Sequence, residues 1–319
     1  MPTGIGNNSF VGVGEEVTYG TAVARNRFLL QNSESIAPAE QNVEAGSIYR
    51  RGRHALRHVQ GRVEVGGDIT FNPQYSSQAL MMFLKHKLGA IASSQPDVTA
   101  APTVYRHTFT PATTLPTGLS IEVGKDVLAH LHAGCKVTSI SFRFTPGELV
   151  EVTTGIIGRE TTSIDDSALV YTEGKLMVAT NTTVTWAGNA QSCRDFTITI
   201  DNPLERRYFI NSRFTSEPLR SGKTRVTGSF TIELADAVLY SDFRNLTQRA
   251  LILTATGDTI AGGYAFEALF TMSVAKLVAG VAQANTEGVM TIPYSFEAFL
   301  DDNNANELSC RLTNEASGV

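Results

Sequence analysis

Hydrophobic and polar residues alternate along two stretches of the chain that resemble each other. The first reads Gly61-Arg-Val-Glu-Val-Gly-Gly-Asp-Ile-Thr-Phe71, and the second reads Gly222-Lys-Thr-Arg-Val-Thr-Gly-Ser-Phe-Thr-Ile232, at an offset of 222 − 61 = 161 residues. Such alternation predicts a strand with one buried face, because successive side chains point to opposite sides. Gly67 and Gly228 fall on the apolar face, where a glycine indicates a bulge, a bend or the close approach of another backbone.

A short helix is predicted after each of these strands. Serine precedes the first helix and Gly89 follows it, and Asp236 is a suitable N-cap for the second. Apolar residues share one helical face in each segment, at Leu80, Phe83, Leu84 and Leu88 and then at Leu239, Phe243 and Leu246. The order of strand and then helix therefore recurs at nearly the same offset.

Other alternating segments complete the prediction of a mainly β fold. They lie at 28–36, 105–110, 119–123, 138–144, 149–157, 196–200, 266–278 and 289–299. Turn residues at Pro146-Gly147 and at 285–288 make a hairpin in each half, and Pro293 indicates a bulge or an edge position. We expect two tandem copies of a β-sandwich or barrel-forming unit, each with one short flanking α-helix, at residues 1–160 and 161–319.

The segments between these elements are polar. Residues 4–21 are rich in glycine, which predicts a flexible N-terminal arm or a strand added to a neighbouring subunit. Residues 37–58 predict a long basic loop that is solvated or contacts another subunit, because the chain as a whole is too acidic for a nucleic-acid site. Residues 159–167 predict an inter-domain linker, and the tail from Asp301 is expected to fray or to cross to a neighbour.

The composition narrows the possible functions. The chain of 319 residues is 42% hydrophobic, enough for each half to build a core, and 18% charged, below the usual quarter. Its formal net charge of −5 disfavours a protein that grips nucleic-acid phosphates and permits a surface that repels them. Cys135, Cys193 and Cys310 match no disulfide or zinc spacing, and no apolar run reaches membrane-spanning length. These features favour folding in a reducing cytoplasm, without a membrane.

No constellation of residues predicts catalysis or a cofactor. His130 and His132 share a strand face, but no cysteine or carboxylate stands at ligand spacing, so a surface pair is favoured over a metal site. Phosphate-binding glycine loops, nucleophile elbows and calcium loops are not found in the sequence. We therefore expect a protein that is not an enzyme.

Several blocks of this sequence resemble the tail tube proteins of tailed bacteriophages. They are Gly14-Glu-Glu-Val-Thr-Tyr-Gly-Thr21, which lacks one residue of the family's pattern, Phe196-Thr-Ile-Thr-Ile-Asp-Asn-Pro-Leu-Glu205 with the following 213–217, and the block from Gly222 to Ile232 with the helix at Asp236. The resemblance spans most of the chain and depends on the order and duplication of the blocks. The first copy departs from the family in its denser basic loop and longer connector, so the contacts of that loop are less defined.

The resemblance implies a major tail tube protein of a long, non-contractile, siphovirus-like tail, in a duplicated-domain form. In that family each unit adds a sheet to a closed ring, rings stack into a hollow tube, and DNA passes through the lumen during ejection. Members with one unit form six-membered rings, so two units per chain imply a homotrimeric ring with 3 × 2 = 6 units. The implied partners are other copies of the chain, the tail terminator, tape measure and tail-tip proteins, and DNA that passes without specific binding. The implied location is the virion tail, assembled in the host cytoplasm.

Two other functions stay open at this point. One is a two-domain β-sandwich that binds a receptor or a carbohydrate, although a single tryptophan, Trp186, offers few aromatic loop residues for it. The other is the inner tube of a phage-like injection or secretion machine.

Two sets of residues are expected to serve the tube. Acidic residues on polar strand faces are candidates for a lumen that repels DNA phosphate, although alternation leaves open which face lines the lumen. They are Glu64, Asp68, Glu122, Glu151, Glu233, Glu267 and Glu297, together with Thr70. Arginines in the two long polar segments are candidates for contacts between rings or subunits through charge complementarity. They are Arg50, Arg51, Arg53 and Arg57, and then Arg206, Arg207, Arg213 and Arg220.

Overall fold

The computed structural model describes residues 5–44, 58–234, 238–280, 289–300 and 306–318. Strands dominate these residues and only two α-helices occur among them, which confirms the expected mainly β fold.

The first half of the chain contributes eleven strands and one helix. They are β1 (Ser9–Glu16), β2 (Arg27–Leu29), β3 (Ser33–Glu34), β4 (Ala37–Glu44), β5 (His58–Phe71), α1 (Gln78–Leu88), β6 (Gly89–Ser94), β7 (Tyr105–Pro111), β8 (Gly118–Lys125), β9 (Ala129–Phe144), β10 (Glu151–Gly158) and β11 (Glu160–Ile164).

The second half contributes ten strands and one helix. They are β12 (Thr182–Trp186), β13 (Asn189–Gln191), β14 (Cys193–Asp201), β15 (Leu204–Arg207), β16 (Ser216–Arg220), β17 (Arg225–Glu233), α2 (Val238–Arg244), β18 (Arg249–Ala261), β19 (Tyr264–Ala279), β20 (Thr291–Ala298) and β21 (Ser309–Asn314).

Seven antiparallel strands form a central sheet in the order β5–β10–β9–β14–β17–β20–β19. β3 and β4 pair with the outer edge of β5. The two halves of the sequence meet inside this sheet, where residues 139–144 of β9 pair with residues 196–201 of β14. A continuous ladder therefore joins the halves, and their connection does not depend on the segment predicted as a linker.

The two longest strands, β9 and β19, change neighbours along their length. The beginning of β9 lies between β8 and β11, with β1 and β2 beyond β8. The beginning of β19 lies between β18 and β21, with β12 and β13 beyond β18, and β7 and β6 beyond β21. We call these two groups the outer strands. Because β7 belongs to the first half but pairs with β21, and β6 pairs with β7, the two halves are interlaced.

One hydrophobic cluster contains the apolar faces of both the central sheet and the outer strands. Alternate residues of the central strands are buried in it, as in β14, where Phe196, Ile198 and Ile200 point inward. Phe142 of β9 packs edge-on against Phe270 of β19 with ring centroids 4.8 Å apart, and this contact joins the two layers. The period-two pattern of the sequence thus follows from burial of one face of each strand.

Helix α1 confirms its predicted start and end. The Ser77 hydroxyl accepts a hydrogen bond from the Leu80 N–H at 3.3 Å, and Gly89 ends the helix in the left-handed conformation with φ 107°. The prediction for α2 is only partly confirmed. Leu239 is buried, but the helix stops at Arg244, and Leu246 lies beyond it, exposed and with φ 50°. Asp236, the predicted cap, lies outside the described residues.

Four predictions about termini and connectors are wrong. The segment predicted as an inter-domain linker contains β11, which pairs with the beginning of β9. The supposed N-terminal arm contains β1, whose Val11 and Val13 are fully buried between β2 and β8. The polar C-terminal tail contains β21, with Cys310 and Leu312 in the core. The beginning of the predicted basic loop is a strand, β4, although all of its residues are exposed. Polarity misled the prediction in each case, because pairing with a long neighbouring strand orders even glycine-rich or polar segments.

The pairing pattern of the two halves recurs in detail. The order β5, α1, β8, β9, β10 in the first half corresponds to β17, α2, β18, β19, β20 in the second. The β8–β9 ladder is irregular between the pairs Leu119–Cys135 and Ile121–His132, and the β18–β19 ladder is irregular between Arg249–Ala275 and Leu251–Met272. The offsets agree on both sides of the irregularity: 249 − 119 and 251 − 121 both give 130, and 275 − 135 and 272 − 132 both give 140.

The paired glycines have the role that the sequence indicated. A Cβ atom at Gly67 would lie 2.4 Å from the carbonyl oxygen of Ser35, and one at Gly228 would lie 2.1 Å from that of Thr197. Both glycines therefore permit the close approach of a neighbouring backbone, in the same relative place.

Candidate functional site

The central sheet has one face that the hydrophobic cluster does not cover, which we call the polar face. It is rich in hydroxyl side chains, and one row of them crosses the sheet in register. The row consists of Thr70, Thr153, Ser141, Thr199 and Thr227, on β5, β10, β9, β14 and β17. The hydroxyls of Thr70 and Thr153 are 3.2 Å apart, and those of Ser141 and Thr199 are 3.0 Å apart. The row runs across the joint between the halves without a break.

Carboxylates flank this row and outnumber the basic residues on the polar face. By their position in the ladders they are Glu64, Asp68, Glu151, Asp195, Asp201, Glu233 and Glu297. The basic residues on or beside the same face are Arg62, Arg143, Arg194, Arg225 and Lys276. Glu64 is paired with Arg62 at 3.1 Å, and Glu233 with Arg194 at 2.6 Å, and all four side chains are substantially exposed. Exposed ion pairs of this kind add little to folding stability. The charges of this face are therefore not needed for folding and can act on a charged partner.

The structure brings together most of the acidic residues predicted from sequence. Glu64, Asp68, Thr70, Glu151, Glu233 and Glu297 all belong to the polar face. Asp195 and Asp201 belong there as well but were absent from the prediction, although the alternation in β14 placed them opposite Phe196 and Ile198. Their signal was therefore present in the sequence.

Glu122 and Glu267 lie elsewhere. Glu122 is fully buried among the outer strands, forms an ion pair with Arg25, and accepts hydrogen bonds from the N–H and the hydroxyl of Ser167, both at 2.8 Å. It joins the N-terminal segment to the segment that follows β11, so it does not face an open surface. Glu267 lies on the beginning of β19, where it pairs with Arg311 at 2.6 Å.

Arg206, Arg207, Arg213 and Arg220 lie in or beside the β15–β16 hairpin, which folds over β5. Arg206 donates to the carbonyl of Val65 at 2.6 Å, and the Val63 N–H donates to the carbonyl of Arg213 at 3.0 Å. Tyr208 adds a third hydrogen bond, from its hydroxyl to the Val63 carbonyl at 3.0 Å.

The other arginines of the set bind within the same region. Arg207 donates to the Glu217 carbonyl at 2.8 Å, and Arg213 approaches Glu40 at 3.5 Å. Arg220 is half-buried on β16. Within this set, the side chains of Arg206 and Arg213 connect the second half to the first. Arg50, Arg51, Arg53 and Arg57 lie outside the described residues.

A buried lysine marks the joint between β9 and β14. Lys87, at the end of α1, donates to the carbonyl of Thr138, which also accepts the Asn202 N–H at 2.9 Å. The Asn202 side chain in turn donates to the Lys87 carbonyl at 2.9 Å. Burial lowers the pKa of Lys87 to about 7, since a desolvated amine holds its proton less tightly. Buried hydrogen bonds therefore connect the end of α1 to the joint between β9 and β14.

The N-terminal block that resembles the tail tube family has a structural role. Glu16 is buried and accepts hydrogen bonds from the Gly20 N–H at 2.7 Å, the Gly134 N–H at 2.8 Å and the Ser120 hydroxyl at 2.9 Å. Its neighbour Glu15 faces α1, where a hydrogen bond from His86 and a contact with Lys85 at 2.7 Å lower its pKa to about 2. These carboxylates bind β1 to the rest of the fold.

The two histidines singled out in the sequence lie beside each other on β9, with ring centroids 6.4 Å apart. The prediction of a surface pair is wrong for His132, which is buried and shares a hydrogen bond of 2.8 Å with the Thr161 hydroxyl. Burial lowers its pKa to about 4. Within the described residues no group of three or more histidine, cysteine or acidic side chains is placed to hold a metal ion. None of the described helices is long and apolar enough to cross a membrane.

A family profile described as phage tail tube protein matches residues 6–298. This chain belongs to the phage tail tube protein family. A search of curated proteins found no match. The profile covers both halves of the chain, including the β9–β14 joint and most of the polar face. The chain is therefore a structural component of a phage virion tail that assembles with copies of itself and with other tail proteins into a tube, and this membership favours a non-enzymatic role.

Proposed function

We propose that this protein is the major tube protein of a long, non-contractile, siphovirus-like tail, in which stacked homotrimeric rings conduct DNA to the host. The observation that carries this proposal is the central sheet, which runs from one half of the chain into the other with a polar face along its whole width. Such a sheet can serve as a segment of a barrel wall, and closure of a barrel removes its exposed edges.

The proposal treats residues 1–160 and 161–319 as two copies of one unit, with a boundary that falls within β11, a strand paired with β9 of the first copy. The recurrent ladders, the matching irregularities at Leu119 and Arg249, and the matching contacts of Gly67 and Gly228 support this division. The β6–β7 hairpin departs from it, because it packs on the other half. Each half supplies about four strands to the central sheet, so three chains would supply roughly two dozen, and barrels of that size enclose an open channel.

The polar face is the surface that we assign to the lumen. Its carboxylates would repel DNA phosphate. The hydroxyl row is uncharged, so it would not bind the phosphates of the passing DNA through charge. The opposite face cannot take this place, because it is covered by the hydrophobic cluster. DNA would therefore pass without specific binding.

The remaining partners follow from the same assembly. A stacked tube needs a terminator at one end, a tip at the other and a tape measure inside, so these tail proteins would contact the ring ends and the lumen. Assembly in the host cytoplasm agrees with three free cysteines in the structure, of which Cys135 and Cys310 are buried.

Electron microscopy of the purified protein tests the proposal. We expect rings or tubes whose threefold averages show six similar lobes that alternate in their outer loops, because the two halves differ in sequence. A ring of six full-length chains would contradict the stoichiometry. A protein that stays monomeric at high concentration and with its tail partners would contradict the proposed function.

A further inference from the structure

Two strand edges at opposite ends of the central sheet have no neighbour among the described residues. β4 pairs with β5 on one side only, and all of its residues are exposed. The end of β19 pairs with β20 on one side, while the β18 ladder on its other side stops at Ala275. Val278 near this end is 50% exposed. Open edges of this kind carry unpaired N–H and C=O groups and readily accept a strand from another chain.

The joint inside the chain shows how such edges meet. On β9, the β8 ladder stops at Cys135, and β14 takes over the same side of the strand from Ser139 onward. By the recurrent pairing, the Cys135 position corresponds to Ala275, where the β18 ladder stops. β9 therefore has a strand beside it at the place where β19 has none within the described part of the chain.

The offsets of the recurrent pairing give the register of the missing contact. The carbonyl oxygens of Ser35 and Thr197 are the atoms nearest to the Cβ positions of Gly67 and Gly228, respectively. The β3–β4 segment therefore corresponds to β14 at an offset of 197 − 35 = 162. β9 corresponds to β19 at an offset of 140, since 275 − 135 = 140. The pair Asp201–Ser139 of the internal joint then translates to 201 − 162 = 39 and 139 + 140 = 279. These positions are Ala39 on β4 and Ala279 on β19.

We infer that β4 of one chain pairs antiparallel with the end of β19 of a second copy, with Ala39 opposite Ala279 and Glu40 opposite Val278. This inference rests on the proposed ring, and it specifies which edges close the ring and in what register. The occupant is a second copy because the chain already contains the same contact internally, between two strands that correspond to the two open edges.

Backbone directions agree with this register. The Ser35 N–H donates to the Asp68 carbonyl of β5. Odd-numbered residues of this segment up to Ala39 therefore direct their N–H groups toward β5, and the Glu40 N–H is directed toward the open edge. In the internal joint the corresponding Asn202 N–H donates to Thr138. We therefore expect Glu40 to donate to the Val278 carbonyl, and Ala39 and Ala279 to form the adjacent non-hydrogen-bonded pair, in which Cα atoms lie about 4.5 Å apart.

Disulfide formation between the two alanine positions tests the register. The variant Ala39→Cys with Ala279→Cys, in a Cys193→Ser background, should form covalently linked oligomers when assembled rings or tubes are oxidised, because the Cα separation is within disulfide range. The single-cysteine variants should stay monomeric on non-reducing gels. As a positive control, Ser139→Cys with Asp201→Cys should form a disulfide within one chain and give no covalent oligomer.

A matched control places the first cysteine elsewhere on the same segment. Ser33→Cys with Ala279→Cys moves it six residues, about 20 Å along the strand, and should not cross-link. Assembled tubes in which the Ala39 pair stays reduced, or in which the Ser33 pair links equally well, would overturn the register. Failure of the unmodified chain to assemble would instead contradict the proposed function, so the two failures are distinguishable.

A second variant covers the case in which the cysteines disturb assembly. Glu40→Pro removes the outward N–H without removing an N–H that points toward β5, whereas Glu40→Ala keeps the N–H and removes the same carboxylate. We expect both variants to fold with similar thermal transitions, and Glu40→Pro to assemble at least tenfold more slowly than Glu40→Ala. Equal assembly rates for the two variants would overturn the inference.

Discussion

The burial and contacts of single residues in this fold depend on the strands that lie beside them. Alternation in the sequence identified which side chains of β5, β14 and β17 are buried, because burial on one face is a local property of a strand. Alternation does not identify the partner sheet of a strand, so it groups Glu122 with residues of the polar face, although Glu122 lies among the outer strands. Partner identity depends on contacts distant in sequence, here with Arg25 and Ser167.

Replacing Gly228 should be costly for a steric reason. In Gly228→Ala the new Cβ would lie 2.1 Å from the Thr197 carbonyl oxygen and 2.5 Å from the Phe296 ring. We expect a loss of roughly 2 kcal/mol or more in the free energy of unfolding, through overpacking of this crowded site, measured by chemical denaturation. Gly6→Ala is the matched control, since nothing lies within 4 Å of its Cβ position. Equal stability of the two variants would mean that the backbones separate at little cost.

Lys87 should make stability depend on pH. Its folded-state pKa of about 7 lies below the ordinary value of 10.5. Between these values the unfolded state binds more protons, so the free energy of unfolding should rise with pH from about 7 toward 10. Relative to Lys87→Met, the unmodified protein should gain up to about 2 kcal/mol between pH 7 and pH 9.

Denaturant titrations at both pH values measure this difference. Lys223→Met, at an exposed position, is the control and should show no comparable change relative to the unmodified protein. A difference between the unmodified protein and Lys87→Met that stays constant with pH would show that the Lys87 amine keeps its proton in the folded state.

At the scale of elements, the sequence predicted those whose signals are local. Helix α1 has a serine cap, an apolar stripe and a terminal glycine, and the structure confirms all three. Strands β1, β4 and β21 were missed because their residues are polar or glycine-rich, and only pairing with β8, β5 and β19 orders them. The β15–β16 hairpin likewise owes its position to hydrogen bonds with the backbone of β5, which no local pattern reveals.

The cap of α1 offers a test at this scale. Ser77→Ala removes the acceptor of the Leu80 N–H and should lower the free energy of unfolding by about 1 kcal/mol. Ser76→Ala, at the adjacent position outside the helix, is the control and should change stability by less than about 0.5 kcal/mol. Thermal unfolding followed by circular dichroism compares the two variants. A larger effect at Ser76 would mean that the cap contributes little to the stability of α1.

At the scale of the whole molecule, the two halves form one interlaced sheet system. Sequence offsets predicted the recurrent strands and helices, and the family profile over residues 6–298 agrees with the resemblance seen in the sequence. The pairing of β7 with β21 of the other half could not be predicted, since no repeat marks it. The assignment of a lumen face also needed the structure, because only the layer arrangement shows which face of the central sheet is uncovered.

The basic segment before β5 should matter for assembly and not for folding. Its counterpart in the second half, the β15–β16 hairpin, already connects the halves through Arg206 and Arg213. We expect Arg51→Glu with Arg53→Glu to leave folded protein or rings that do not elongate, also at low salt, as seen by electron microscopy. Lys175→Glu with Arg244→Glu, at two exposed positions, is the control for the change in net charge and should still give tubes. Normal tubes from the first variant, also at high salt, would refute this role.

The polar face gives the prediction that bears most directly on DNA passage. Glu151→Lys, Asp195→Lys and Glu297→Lys together should leave assembly intact, because these side chains lie on the uncovered face of the sheet. The reversed face would attract phosphate, so DNA should leave the tube more slowly or stay trapped, and high salt should relieve the defect because it weakens phosphate contacts. The measurement is the rate of DNA release from particles that carry the variant. The control reverses Glu173, Asp258 and Glu315, three exposed carboxylates away from the polar face, and should release DNA at the normal rate. Normal release from the polar-face variant would place the lumen on another surface, and an equal defect in the control would show that net charge alone governs release.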